Sequence, residues 1–154
     1  EAITLLMAER NPTQNLAKIY KKTDLDIANS ESDSKYRLYV VALNDKVIGF
    51  CRYYHSSGVP EARKKFPAPE GWYGMGILVT PEFRRKGIAR FLSDSRRRVL
   101  KENGVSEMYS IVDEGNLTSL RMHQEFGFKE VARGSGFLHI ACTDSRGILF
   151  RLEI

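Results

Sequence analysis

Apolar and polar positions along the chain alternate in two rhythms, one near two residues and one near 3.6. Ile3–Glu9 is short and mostly apolar and predicts an opening strand. Pro12 and Thr13 then precede a helical stretch from Gln14 to about Lys22, where Leu16, Ile19 and Tyr20 recur at helical spacing. Thr23 is placed to cap a second helical piece through Leu25 and Ile27, which fades into the polar run Asn29–Lys35. Tyr36–Leu43 and Lys46–Tyr54 are rich in Val, Ile, Tyr and Phe, and Asn44-Asp45 between them predicts a tight hairpin. His55–Gly71, with Pro60, Pro67, Pro69 and the basic trio Arg63, Lys64 and Lys65, reads as a mobile loop long enough to suspect function.

Trp72–Val79 predicts a further strand, ended by Pro81, with Gly87 just inside the next helix. Ile88, Phe91, Leu92, Val99 and Leu100 form one face of that helix, and Asn103-Gly104 is a natural cap for its end. Glu107–Val112 alternates as a strand. Asn116 begins a shorter helix with Leu117, Leu120 and Phe126, closed by Gly127. Phe128–Ala132 and Ile148–Ile154 read as closing strands, His139–Ala141 extends one of them, and Gly134-Ser135-Gly136 is a turn. The order is β-α-α-β-β-β-α-β-α-β-β, a mixed α/β domain.

A length of 154 residues suits a single domain spanning residues 1–154. Hydrophobic residues make up 42% and charged residues 28%, which excludes wholesale disorder. No apolar run approaches the ~18 residues of a membrane span. The net charge of +5 implies attraction to an anion without saying which: nucleic acid, acidic membrane and phosphorylated cofactor all remain open. Cys51 and Cys142 form no framework and no signal-like segment is seen, so reduced thiols in a cytoplasmic protein are expected. Cys51, on a β-prone run, reads as a buried small hydrophobe. His55, His123 and His139 share no metal-ligand spacing with either cysteine, so no metal site is expected.

The stretch from Ile77 to Ala89 carries the chemistry. A strand runs into a turn and the turn opens a helix, whose first backbone N–H groups are unpaired and whose dipole is positive. Gly87 and Ala89 leave the backbone bare, and Arg84, Arg85, Lys86 and Arg90 gather positive charge there. That combination suits a pyrophosphate cradle, although a solvated basic helix start has the same composition. The P-loop pattern is absent, and Gly74-Met75-Gly76 lacks the third glycine of the dinucleotide fingerprint, because Val79 stands in its place.

These residues resemble the GNAT superfamily of N-acetyltransferases, whose acetyl-CoA signature is [Q/R]-x-x-G-x-[G/A] after a strand ending V-x-P. The chain has Val79-Thr80-Pro81 and then Arg84-x-x-Gly87-x-Ala89. A second pattern of the family, N-x-x-[A/S]-x-x-x-[Y/H]-x-x-x-G-F, is matched by Asn116, Ser119, His123 and Gly127-Phe128. The element order also agrees. The resemblance implies a mixed, mainly antiparallel sheet flanked by helices, and acetyl-CoA as co-substrate. Transfer would be direct, to a primary amine of a small molecule, from a cleft between the Trp72–Val79 and Glu107–Val112 strands. A homodimer is the family's habit.

The resemblance also implies roles. Backbone groups of Ile77, Leu78 and Val79 would pair with the pantetheine arm, and the Leu78 N–H would stabilise the oxyanion. Backbone N–H groups from Arg85 through Lys86, Gly87, Ile88 and Ala89 to Arg90 would hold the pyrophosphate, and Asn116 would contact the cofactor. His123 stands where many relatives carry a tyrosine that protonates the leaving thiolate. Imidazole can do that work, and can equally pack beside the pocket. The Ser119–His123 run is similar to phosphinothricin-type acetyltransferases. The general base is not assigned: the position some relatives use is Ile111, and Glu70, Asp113 and Glu114 are the alternatives. Trp72 and Tyr73 would line the acceptor pocket or the core.

Two rival readings stand beside this one. An acyl-CoA-binding sensor without turnover would share the cradle. A nucleic-acid-binding domain would use Arg84–Arg90 with Arg96, Arg97, Arg98 and Lys101, but three consecutive arginines spread around ~200° of a helix and make no stripe.

Overall fold

The computed structural model describes residues 34–142 and 146–154. The opening strand Ile3–Glu9 and the helical pieces around Gln14–Lys22 and Leu25–Ile27 lie outside the described residues. The described elements, in chain order, are β1 (Tyr36–Leu43), β2 (Lys46–His55), β3 (Trp72–Val79), α1 (Ile88–Glu102), β4 (Glu107–Asp113), α2 (Leu117–Glu125), β5 (Lys129–Gly134), β6 (Gly136–Phe137), β7 (Ile140–Ala141) and β8 (Gly147–Glu153). Six strands hydrogen-bond in the order β1-β2-β3-β4-β8-β5, and β6 pairs with β7 apart from them. The sheet is mixed and mainly antiparallel, and helices flank it. Among the described residues no helix is long and apolar enough to cross a membrane.

The described residues fall into two compact units. One holds residues 34–52 together with Gly76–Arg96. Its hairpin turns at Asn44 and Asp45, with φ of 48° and 62°, the left-handed pair that a two-residue connection needs to match strand twist. Phe50 and Cys51 on β2 and Leu92 on α1 are buried, and the Cys51 thiol donates to the Leu92 carbonyl at 3.8 Å. The Thr80 N–H donates to the Ile48 carbonyl at 2.9 Å, fixing where the chain leaves β3.

The other unit holds Tyr53–Met75 and Arg97–Ile154. β4 runs antiparallel to β8 from Glu107↔Glu153 to Asp113↔Gly147. β3 runs parallel to β4 through Trp72↔Met108, Tyr73↔Tyr109 and Gly74↔Ser110. Met108, Val112, Phe128, Leu149, Phe150 and Leu152 are among its buried apolar residues. His139–Ala141 does not extend a long strand. Ile140 and Ala141 turn back onto Gly136 and Phe137, because Leu138 between them takes a left-handed φ of 53°.

The segment His55–Gly71 also departs from expectation. It reads as mobile, yet its backbone is tied down. The Ser56 N–H donates to the Gly71 carbonyl at 2.9 Å, and the Gly71 N–H donates back to Ser56 Oγ at 3.0 Å. The N–H groups of Lys65 and Phe66 both donate to the Leu138 carbonyl, at 2.8 and 2.9 Å. Prolines and glycines here shape a fixed path with two 3₁₀ turns, Ser56–Gly58 and Glu61–Arg63.

Candidate active site

The cradle begins where β3 ends. Thr80 leads into a 3₁₀ turn over Pro81–Phe83, with proline at its first position, where no N–H is needed. Arg84 folds back, and its Nε–H donates to the Val79 carbonyl at 3.0 Å. Arg85 and Gly87 then take left-handed φ values of 61° and 82°. Gly87 therefore precedes the helix rather than lying inside it, and α1 starts at Ile88. The bond that closes its first turn runs from the Phe91 N–H to the Gly87 carbonyl at 2.9 Å.

Among the described residues, the amides of Arg85, Lys86, Gly87, Ile88 and Ala89 meet no hydrogen-bond acceptor. The first turn of α1 carries no acidic side chain to occupy them. Arg84, Arg85, Lys86, Gly87 and Arg90 are exposed, and the Lys86 ammonium lies 5.1 Å from the centre of the Phe83 ring. A Cβ on Gly87 would meet nothing within 4 Å, so the space over this turn is open. Five bare donors, a helix dipole and a ring of cations fit a diphosphate. On β3, Ile77 and Val79 are partly exposed and Leu78 is 9% exposed.

The second motif folds as follows. Asn116 caps α2, its side-chain oxygen accepting the Ser119 N–H at 3.1 Å. His123, one turn past Ser119, is 6% exposed. Its Nδ1 lies 2.7 Å from the Ser119 carbonyl oxygen and 3.3 Å from Ser119 Oγ. Its Nε2 lies 2.7 Å from Ser110 Oγ on β4. Phe150 stacks on the ring at 5.4 Å and Phe128 meets it edge-on at 4.9 Å. Ser110 has no one-dimensional signal: it is an ordinary serine in a strand until β4 brings it against His123.

The candidate bases have other duties or lie open. Asp113 Oδ1 accepts the Gly115 N–H at 2.9 Å, shaping the turn before α2. Glu114 accepts the Arg146 N–H at 3.0 Å and pairs with Arg133 at 3.6 Å. Glu70 is exposed. Tyr73 is 1% exposed and donates its hydroxyl to the Pro69 carbonyl at 2.7 Å. It stacks between Tyr54 at 5.7 Å and Tyr109 at 5.3 Å, while Trp72 meets Tyr53 and His55 edge-on. His139 meets Tyr54 edge-on at 5.7 Å, and burial with the nearby Arg63 charge holds its imidazole below the usual histidine range. Arg96 is 2% exposed, which removes it from any surface stripe. Among the described residues no cluster of His, Cys, Asp or Glu could hold a metal.

Residues 4–128 match the model of the acetyltransferase (GNAT) family. A stretch of 58 residues is 38% identical to aminoglycoside N(6')-acetyltransferase type 1 of Salmonella typhimurium, covering 38% of this chain and 40% of that protein. Among solved structures, the ribosomal-protein-alanine N-acetyltransferase of Brucella melitensis superposes with a TM-score of 0.72 at 15% identity, over 99% of this chain and 93% of that one. The PaiA N-acetyltransferase of Thermoplasma acidophilum, solved with coenzyme A, gives 0.67 at 16% identity, over 99% and 92%.

Proposed function

Because the chain belongs to the GNAT acetyltransferase family and uses acetyl-CoA, we propose that it moves the acetyl group directly to a primary amine of a small molecule. The observation that carries the co-substrate half of this reading is the run of bare amides from Arg85 to Ala89 at the mouth of α1. They would hold the pyrophosphate, with the Arg90 amide beside them and the Arg84, Arg85 and Lys86 side chains adding charge. Ile77 and Val79 would pair through their backbone with the pantetheine arm. The Leu78 N–H would stabilise the negative oxygen that forms when the amine attacks the thioester. Asn116, whose oxygen caps α2, keeps its amide hydrogens for the cofactor. His123 would supply the proton that the departing thiolate takes. The small-molecule acceptor is supported by the aminoglycoside-acetylating relative, over its 58 matched residues. Free cysteines at 51 and 142 suit a cytoplasmic setting.

Thermal unfolding with acetyl-CoA, CoA and ATP tests the cradle. Ligand at ~100 times its dissociation constant adds about 2.7 kcal/mol, which raises the midpoint by roughly 5–11 °C in a domain of this size. A shift with both CoA species and none with ATP is the expected result. No shift with either CoA species removes the reading. Thiol release from acetyl-CoA with glycine, spermidine, kanamycin or an alanyl peptide then identifies the acceptor class.

A further inference from the structure

Both ring nitrogens of His123 face polar groups of the chain itself. Nδ1 points at the Ser119 carbonyl oxygen at 2.7 Å. A carbonyl oxygen only accepts, so Nδ1 carries a hydrogen whether the ring is neutral or charged. Proton exchange falls to Nε2, which faces Ser110 Oγ at 2.7 Å. The ring itself is packed against Phe150 and Phe128. Among the described residues, the path the geometry offers a proton leaving His123 runs into the Ser110 hydroxyl.

Ser110 is itself buried, 5% exposed, and stands where the pairing of β3 with β4 ends. It is the last β4 residue in register with β3, and its partner on that rung is Gly74, which carries no side chain and is partly exposed. On the other side its partner is Phe150. A nucleophile–base–orienter arrangement looks similar, but here the hydroxyl is placed as a carrier between a buried imidazole and the last paired rung of β3 and β4, where its neighbour is a glycine.

We infer that Ser110 is a further catalytic residue of acetyl transfer, its hydroxyl passing the His123 proton to the sulfur of the departing CoA. This rests on the transfer reading above. As the carbon–sulfur bond breaks, its electron pair goes to sulfur. Sulfur takes the Ser110 Oγ hydrogen, and Oγ takes the Nε2 hydrogen of the imidazolium. His123 ends neutral, still donating from Nδ1 to Ser119. The amine nitrogen gives one proton to solvent and His123 regains one from solvent. Each turnover thus forms one amide and one thiol.

The test is kcat for thiol release from acetyl-CoA, with the four acceptors named above and with water. Ser110→Ala is expected to lower kcat ~100-fold, while the acetyl-CoA thermal shift and KM stay unchanged. His123→Ala is expected to do the same, and the double variant to lose no more than the worse single one, since the two act as a unit. Ser110→Thr, which keeps a hydroxyl, should recover most of the rate. Ser110→Ala within about twofold of the parent, or losses that multiply in the double variant, overturn the role. So does a parent that releases no thiol with any acceptor. A parent that also shows no acetyl-CoA shift takes the transfer reading down with it; a normal shift leaves that reading standing.

Discussion

The Cβ that Gly49 lacks would stand 3.0 Å from the Leu78 carbonyl oxygen, and close to Ile88 and Leu92 at 3.3 and 3.5 Å. The bare backbone of Gly49 is what lets β2 lie this close to the strand residue proposed to meet the thioester. Gly49→Ala should force β3 or α1 to give, at a cost of about 1–3 kcal/mol for overpacking. The expected result is a midpoint lower by several degrees and weaker acetyl-CoA binding in calorimetry. An unchanged midpoint would show that the strand yields freely.

Gly87 is constrained by conformation and not by space. Its φ of 82° suits glycine, and nothing lies within 4 Å of a built Cβ. Gly87→Ala should cost about 1–2 kcal/mol through left-handed strain, and should weaken CoA binding by turning the amides of Gly87 and Ile88 out of line. Isothermal titration with CoA reads the affinity, and urea unfolding reads the stability separately.

Ser56 ties the long connection between β2 and β3 at its neck, with Oγ accepting the Gly71 N–H at 3.0 Å. Ser56 is 2% exposed, so Ser56→Ala leaves a shielded donor unmet, at about 1–3 kcal/mol. Trypsin should then cut faster at Arg63, Lys64 and Lys65 than in the parent. Equal cutting rates would mean that the backbone bonds to the Gly71 and Leu138 carbonyls hold the segment without the Ser56 hydroxyl.

Neither cysteine should behave as a nucleophile. Burial pushes the Cys51 thiol up to about 11, against the pull of Arg96. Burial and the nearby Asp113 raise Cys142 as well. Iodoacetamide at neutral pH should label the native protein slowly at Cys142 and not at Cys51, with both labelled in urea, as read by peptide mass spectrometry. Rapid native labelling of Cys51 would contradict its packing.

Stability should fall at alkaline pH. Burial, the Glu107 hydrogen bond and the Glu107 charge push the Tyr109 hydroxyl up to about 12, and burial raises Tyr54 and Tyr73 as well. Between the ordinary tyrosine value of ~10 and these raised values, the unfolded chain has lost protons that the folded chain keeps. Stability is therefore whole below pH ~10 and lost as pH rises beyond it. His139 acts at the other end: its lowered value means stability lost as pH falls below ~6.5. Melting midpoints across pH, with phenolate absorbance followed alongside, check both limbs.

The chain's local rules determined a great deal by themselves. Asn44-Asp45 dictated its hairpin because both residues tolerate positive φ. Trp72–Val79 and the helix from Ile88 followed from periodicity and from the Pro81 break. The run of bare amides proposed to hold the pyrophosphate was legible because it consists of consecutive backbone groups, so a linear motif contains all of it. Gly87 shows the limit of that reading: only its observed φ puts it before the helix and not within it. Tertiary structure alone decided the rest, because those contacts join residues far apart in sequence. Ser110 meets His123 through the packing of a helix on a strand. Tyr54, Tyr73 and Tyr109 stack only because three strands set them side by side. The connection from His55 to Gly71 looked mobile because its composition is loop-like, and the Leu138 carbonyl that fixes it lies some seventy residues on. Spacing along the chain carries local backbone geometry, and it does not carry the partner that a fold supplies from elsewhere.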